Sequence, residues 1–184
     1  VSEGQRKFMG TLWNTYAFFV LYADIDKYDP SKYDVKKCKL SLMDKWALSK
    51  LNTLVKTVDE GLAEYKTFET ARYIQDYVDE LSNWYVRRGR ERYWGKEMTD
   101  DKAAAYTTLY TVLVTLSKVI APYVPFMAES MYGNLVPQFF KDAPISVRHR
   151  QKGQSFRGAS EHRERRIEHK GIRDTSRRFE IRFV

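Results

Sequence analysis

The amino-acid sequence predicts an all-α fold, a bundle of five helices. Along most of the first 136 residues, apolar side chains recur at steps of three and four, which places them on one face of each helix. Turn and capping signals separate these segments, and the connections are short except for a polar stretch over residues 24–40. Amphipathic helices joined in this way are typical of a bundle around a common apolar core.

The first two helices show this pattern clearly. The first is predicted over residues 2–23, with an apolar stripe made of Phe8, Leu12, Tyr16, Phe19 and Val20. The second opens where Ser41 is followed by Asp44, a pair that resembles a capping box. Its predicted core face consists of Leu48, Leu51, Leu54, Val55, Val58, Leu62 and Tyr65.

The third helix is the longest, from Phe68 to about Trp94, with Thr67 as its predicted cap. At about 1.5 Å per residue it reaches roughly 40 Å, enough to protrude beyond its neighbours. Its core face contains Ala71, Ile74, Val78, Leu81 and Tyr85. Continuing that face by three and then four residues reaches Arg88 and Arg92, which an apolar core would not accept unpaired. We therefore expect the end of this helix to leave the core.

Four guanidinium groups surround that end and are here called the arginine collar: Arg87, Arg88, Arg90 and Arg92. Trp84, Tyr93 and Trp94 flank them. Cations beside stacking rings suit a nucleic acid, because they offer phosphate contacts and platforms for bases together. The alternative is that basic residues in a last turn only complement the helix dipole, with Gly95 as a C-terminal cap. Four arginines, two of them on the core face, favour a binding role.

The fourth helix is predicted to begin at Thr99, with acidic residues in its first turn. Its threonines at positions 107, 108, 111 and 115 spread around the axis, so we expect them on the helix surface. Ala121-Pro122 ends this helix, and Pro125 suits the first turn of the fifth. The fifth carries the apolar residues Phe126, Met127, Met131, Tyr132 and Leu135 and is predicted to finish near Val136.

Composition gives no support to an autonomous enzyme. The chain has 184 residues and one cysteine, Cys38, and its three histidines all lie beyond residue 148. Residues 1–148 therefore offer no imidazole for general-base catalysis and no Cys/His set for a metal ion. They also lack a glycine pattern that cradles phosphate. No apolar run approaches a membrane span, and no signal peptide is recognisable, so a cytoplasmic location is expected.

The positive charge is concentrated in the C-terminal part. Of the net charge of +8, residues 137–184 hold 13 Lys and Arg against 6 Asp and Glu, net +7; residues 1–136 hold 19 against 18, net +1. We predict a helical domain over residues 1–140 and a basic tail over residues 141–184. Because large apolar side chains are sparse in the tail, disorder or loose docking is expected, with a small β addition as the second interpretation.

Four segments resemble the anticodon-binding helical domain of isoleucyl-tRNA synthetase, a class I aminoacyl-tRNA synthetase. They are residues 8–19 (FMGTLWNTYAFF), 44–51 (DKWALSKL), 81–88 (LSNWYVRR) and 116–129 (LSKVIAPYVPFMAE). Their order and spacing also match, and the resemblance covers residues 1 to about 147. From Arg148 onward the sequence departs from the family, and one hypothesis is that this tail is not native coding sequence.

The resemblance implies a fragment of an enzyme that joins isoleucine to its tRNA using ATP and magnesium. No cofactor and no catalytic centre are expected in this chain, because the family's catalytic and editing domains lie outside it. The implied partners are isoleucine tRNA and those two domains, without a membrane. The residues assigned to tRNA contact are Asn83, Trp84, Arg87, Arg88, Arg90, Arg92 and Trp94.

Two alternatives remain open at this point. Trp84 and Tyr85 could pack the bundle against the catalytic domain, since large aromatic residues are more often buried than exposed. The whole chain could also be a helical scaffold for protein partners, which would dock on its exposed aromatic faces.

Overall fold

The structure, a computed structural model, describes residues 5–140, 143 and 146–147 and contains five helices of at least 11 residues. They are α1 (Thr11–Ile25), α2 (Leu42–Ala63), α3 (Thr67–Glu80), α4 (Asp100–Ile120) and α5 (Pro125–Leu135). A π-helical segment, Gln5–Gly10, leads into α1, and a 3-10 turn, Pro30–Lys32, lies between α1 and α2. The described residues contain no strand. The predicted all-α fold is confirmed.

Helix α3 continues beyond Glu80 with a change of helix type. A π-helical segment, Leu81–Val86, follows it directly, and two short α-helical segments, Arg87–Gly89 and Glu91–Trp94, complete the predicted long third helix.

The chain divides into two units, Val1–His149 and Arg150–Val184, and all described residues belong to the first. Apart from residues 143 and 146–147, the basic tail lies outside the described residues, so its interpretations stay predictions.

Local capping chemistry fixes where two of the helices begin. The Ser41 hydroxyl accepts a hydrogen bond from the Asp44 amide at 3.2 Å, and the Asp44 carboxylate accepts one from the Ser41 amide at 2.9 Å. This is the predicted capping box. The Thr99 hydroxyl likewise accepts from the Lys102 amide. Thr67, in contrast, is the first residue of α3 rather than its cap, so that detail was wrong.

Helix α4 is the central helix and packs against α1, α2 and α5. By length and composition it could also cross a membrane, but 72% of the relevant window is buried inside the protein, as in the core helix of a bundle. The largest fully buried residues on it include Tyr106, Leu109, Leu113, Leu116 and Ile120. The apolar character of α4 is therefore accounted for by the core.

The threonines of α4 were predicted on the surface, yet Thr107, Thr108 and Thr115 are buried. Burial is possible because a threonine hydroxyl can donate to the carbonyl four residues earlier. Thr107 donates to the Ala103 carbonyl at 2.7 Å, and Thr111 donates to the Thr107 carbonyl at 2.8 Å. The Thr107 hydroxyl thus needs no solvent, whereas the buried Thr108 hydroxyl has no hydrogen-bond partner among the described residues.

Two aromatic residues that the helical spacing placed in the core are on the surface instead, Tyr65 and Phe126. Helix α2 ends at Ala63, and Tyr65 adopts a left-handed backbone conformation with φ of 61°. The helical spacing therefore does not extend to its side chain. Phe126 lies in the first turn of α5, where the following residues Met127 and Ala128 enter the core instead.

Helices α2 and α3 are antiparallel and approach closely at Gly61. A Cβ added there would lie 2.3 Å from the Thr70 Cγ2 methyl. Thr70 cannot rotate away freely, because its hydroxyl is hydrogen-bonded to the Lys66 and Thr67 carbonyls and to the Tyr123 hydroxyl. The contact requires glycine for reasons of space.

Gly61→Ala is therefore expected to destabilise the protein by about 1–3 kcal/mol, the usual cost of overpacking. Gly133→Ala in α5 is the matched control, since a Cβ there meets nothing within 4 Å. That change should be neutral or stabilise by up to about 1 kcal/mol through helix propensity. Urea unfolding of both variants measures the difference, and equal stabilities would contradict the steric account.

Candidate nucleic-acid interface

Most of the predicted binding residues share one exposed end of the third helix. Asn83, Arg87, Arg88 and Arg90 are exposed. The exposed fractions of the two tryptophans are high for such large rings, 46% for Trp84 and 60% for Trp94. The Arg90 guanidinium carbon lies 6.0 Å from the centre of the Phe18 ring of α1. The structure thus presents three cations and two aromatic rings to solvent at this end.

Arg92 is the exception, because its guanidinium already has partners within the domain. Its guanidinium forms a bidentate ion pair with the Asp44 carboxylate, to which Nη1 donates at 2.8 Å and Nη2 at 2.9 Å. It also donates to Asp101 through Nε and Nη2, both at 2.8 Å. The side chain is only 19% exposed. Arg92 thus joins parts of the domain to one another, which disfavours its predicted contact with tRNA.

The π-helical segment explains why uniform helical spacing placed Arg88 and Arg92 on the core face. A π-turn contains one residue more than the α-turn it replaces, so later residues are rotated around the axis. Uniform spacing predicts Arg92 on the core face after Tyr85. In the structure the buried residue is Tyr93, one position later, and Val86 is buried as well. Arg88 is consequently turned out to solvent and does not lie on the core face.

Asp44 is the acceptor at the centre of this buried network and is itself 0% exposed. Besides Arg92 and the Ser41 amide, it receives a hydrogen bond from the Tyr85 hydroxyl at 2.6 Å. Burial alone would raise the pKa of Asp44. The donated hydrogen bonds from Arg92, Tyr85 and Ser41 outweigh burial and hold the pKa of this carboxyl below its usual value.

A second buried ion pair lies at the start of α4. The Lys102 ammonium, 2% exposed, lies 2.6 Å from the Asp26 carboxylate and donates to the Gly95 carbonyl at 2.6 Å. The Tyr106 hydroxyl also donates to Asp26. These contacts join the end of α1 and the end of the third helix to α4, and they fix the position of the exposed cations.

A groove between α2 and the third helix runs beside the arginines. Each helix contributes three side chains at helical spacing, and together the lining residues are Met43, Trp46, Lys50, Glu80, Trp84 and Arg88. Sequence reasoning identified only Trp84 and Arg88 of these. The others lie more than thirty residues earlier or in the preceding turn, and only the packing of the two helices brings them together.

No group of three or more His, Cys, Asp or Glu side chains that could hold a metal ion occurs in the described part of the chain. The groove at this end of the protein is lined by cations, aromatic rings and one paired carboxylate.

Comparison with known proteins identifies the family. A family model described as the anticodon-binding domain of tRNA ligase matches residues 44–165. The chain belongs to this family. The resemblance to the anticodon-binding domain of isoleucyl-tRNA synthetase is thereby confirmed, and the matched part is the anticodon-binding part of such an enzyme, not its catalytic part.

Similar proteins include isoleucine–tRNA ligases from three bacteria. The protein of Clostridium novyi is 59% identical and that of Clostridium acetobutylicum 56% identical, each over 147 residues, which is 80% of this chain and 14% of the relative. The protein of Bacteroides thetaiotaomicron is 47% identical over 148 residues, 80% of this chain and 13% of the relative. The anticodon-binding domain described here thus spans about one seventh of the length of these curated relatives.

Asp44→Asn is expected to destabilise the domain by about 3 kcal/mol in urea unfolding. Removing one member of a buried ion pair typically costs about 3–5 kcal/mol, and Asp101 keeps part of the charge of Arg92 compensated. Asp24→Asn is the control: its pair with Lys27 is exposed, so its effect should stay within about 0.5 kcal/mol. Similar effects of the two substitutions would contradict a structural role for the buried pair.

The stability contributed by Asp44 should also depend on pH. Because the pKa of Asp44 is lowered in the folded state, the unfolded state binds more protons in the acid range, and stability falls as pH falls. The difference in unfolding free energy between the native chain and Asp44→Asn should be complete at about pH 5 and above. It should shrink as pH drops below the ordinary value of 3.8 and through the folded pKa. A difference independent of pH would exclude this linkage.

Proposed function

We propose that this chain binds the anticodon arm of isoleucine tRNA and positions the tRNA for ATP-dependent isoleucylation by a catalytic domain outside the chain. The observation that supports this most strongly is the set of three exposed arginines beside two exposed tryptophans, at one end of a domain of the anticodon-binding family. The similar proteins are isoleucine–tRNA ligases, which favours isoleucine tRNA over other tRNAs.

The guanidinium groups of the three exposed arginines are accessible to a phosphate. Within the residues that the structure describes, Arg87, Arg88 and Arg90 form no ion pair with a carboxylate. Since residues 1–136 are almost neutral overall, attraction of this part to a polyanion must come from such a local patch. Guanidinium groups bind phosphate with two parallel hydrogen bonds, and the nearby rings can stack on unpaired bases. Asn83 and Trp94 extend the same surface.

The remaining parts of the proposal concern the rest of the parent ligase, because the match covers only 14% of the length of these relatives. ATP and magnesium would be used by the catalytic domain, and no cofactor is proposed for this chain. The catalytic and editing domains of the parent ligase are the proposed protein partners, and the proposed location is the cytoplasm. We assign three exposed aromatic residues to contact with those domains. They lie outside the arginine-rich segment of the sequence and are Tyr65, Phe68 and Phe126.

Substituting Arg87 and Arg90 together by glutamine is expected to weaken tRNA binding roughly tenfold and to flatten its salt dependence. Each lost phosphate contact should reduce the slope of log K against log salt by about 0.7–0.9. The measurement is binding of the 184-residue chain to isoleucine-accepting tRNA and to a non-cognate tRNA over a salt series.

Arg72→Gln is the matched control, because Arg72 is an exposed arginine near the opposite end of the same helix. It should leave the affinity and the slope unchanged. Equal effects of Arg72→Gln and the double variant would show that Arg87 and Arg90 contribute only general charge attraction. No preference for isoleucine-accepting tRNA at any salt concentration would contradict the proposed specificity.

A further inference from the structure

The groove between α2 and the third helix has an ordered arrangement of side chains. Met43, Trp46 and Lys50 follow one another at steps of three and four on α2, and Glu80, Trp84 and Arg88 at steps of four on the third helix. Because the helices are antiparallel, Lys50 faces Glu80, and their charged atoms are 2.9 Å apart. One end of the groove is thus closed by an ion pair, and the two tryptophans lie beyond it.

Both indole rings of the groove have a cation over them. The Arg88 guanidinium carbon lies 3.9 Å from the centre of the Trp84 ring, a stacked cation–π contact. The Lys50 ammonium lies 6.0 Å from the centre of the Trp46 ring. The Arg88 guanidinium and the Trp84 ring are both exposed, so flat surfaces remain available to a ligand. Arginine planes and indole rings are the two platforms on which unpaired bases stack.

We infer that this groove receives one unpaired base of the anticodon loop, stacked against Trp46 and the Trp84–Arg88 pair. The inference rests on the proposed function and adds the position and chemistry of a base-binding site to it. The Lys50–Glu80 pair supplies a donor and an acceptor for the edge of the base, while Arg87 and Arg90, close to Arg88 in the chain, supply phosphate contacts.

The charge of the groove favours a nucleotide over an apolar protein segment. Three of its six lining residues are charged, with two cations and one anion, whereas the buried centre of a protein–protein interface is depleted of charge. The net positive charge complements the phosphates that flank any base. The exposed Arg88 lines the groove itself, whereas the exposed aromatic residues Tyr65, Phe68 and Phe126 do not.

The test is binding of the 184-residue chain to two RNA hairpins. The first has the anticodon stem and loop of isoleucine tRNA, and the second has the same stem with abasic nucleotides in the loop. Trp46→Leu should weaken binding of the intact hairpin roughly 5- to 100-fold, the range expected for loss of base stacking. The salt slope should not change, because no phosphate contact is lost, and the abasic hairpin should bind the variant and the native chain equally.

Trp13→Leu is the matched control, since Trp13 is a half-exposed tryptophan on α1, outside the groove. It should bind both hairpins like the native chain. Trp46 also packs partly against the core, so its variant is checked by circular dichroism. If Trp46→Leu fails to fold, Trp84→Leu, a change at a more exposed position, gives the same comparison.

Several results would overturn the inference. One is an unchanged affinity of Trp46→Leu for the intact hairpin, and another is an equal loss for intact and abasic hairpins. Loss of self-association in a sedimentation experiment, with RNA binding intact, would assign the groove to a second protein copy instead.

The inference and the proposed function can fail separately. Equal binding of cognate and non-cognate hairpins, with the loss in Trp46→Leu preserved, would keep the groove and refute isoleucine specificity. Cognate preference that survives Trp46→Leu at full affinity would keep the function and refute the groove.

Discussion

The position of the candidate interface depends on one buried carboxylate, that of Asp44. This carboxylate completes the capping box of α2 by accepting a hydrogen bond from the Ser41 amide. It also accepts two hydrogen bonds from Arg92 and one from the Tyr85 hydroxyl. Arg92 in turn bonds Asp101 in the first turn of α4. A single network therefore joins the start of α2, the end of the third helix and the start of α4. A desolvated carboxylate would be unfavourable alone, so the whole arrangement must be present together.

This network divides the arginines of the collar by function. The π-helical segment rotates the following residues by one position, which brings Tyr93 into the core and leaves Arg92 at its edge, within reach of Asp44. The same rotation turns Arg88 outward onto Trp84. π-Turns within α-helices are frequent at functional sites. Here the local change of helix type separates the arginine that stabilises the domain from those that are exposed to solvent.

How far the sequence could predict the structure follows from the range of each interaction. Helix positions and the caps at Ser41 and Thr99 depend on residues a few positions apart, and the sequence predicted them. The role of Arg92 depends on Asp44, 48 positions away, and on a π-turn that uniform spacing does not anticipate. The groove was missed for a similar reason. Trp46 lies in a segment that resembled the family, but no pattern along one helix shows that it faces Trp84.

The proposed RNA-binding surface would combine two kinds of binding energy with different consequences. The proposed phosphate contacts by Arg87 and Arg90 would depend on salt and would place any RNA strand along this end of the domain. Stacking in the groove depends little on salt and requires a base that is out of a duplex, as in a loop. Because the two surfaces meet at Arg88, a strand held by its phosphates would present a loop base to the groove. Preference for an anticodon loop over a continuous duplex would then arise from geometry, even though charge supplies much of the affinity.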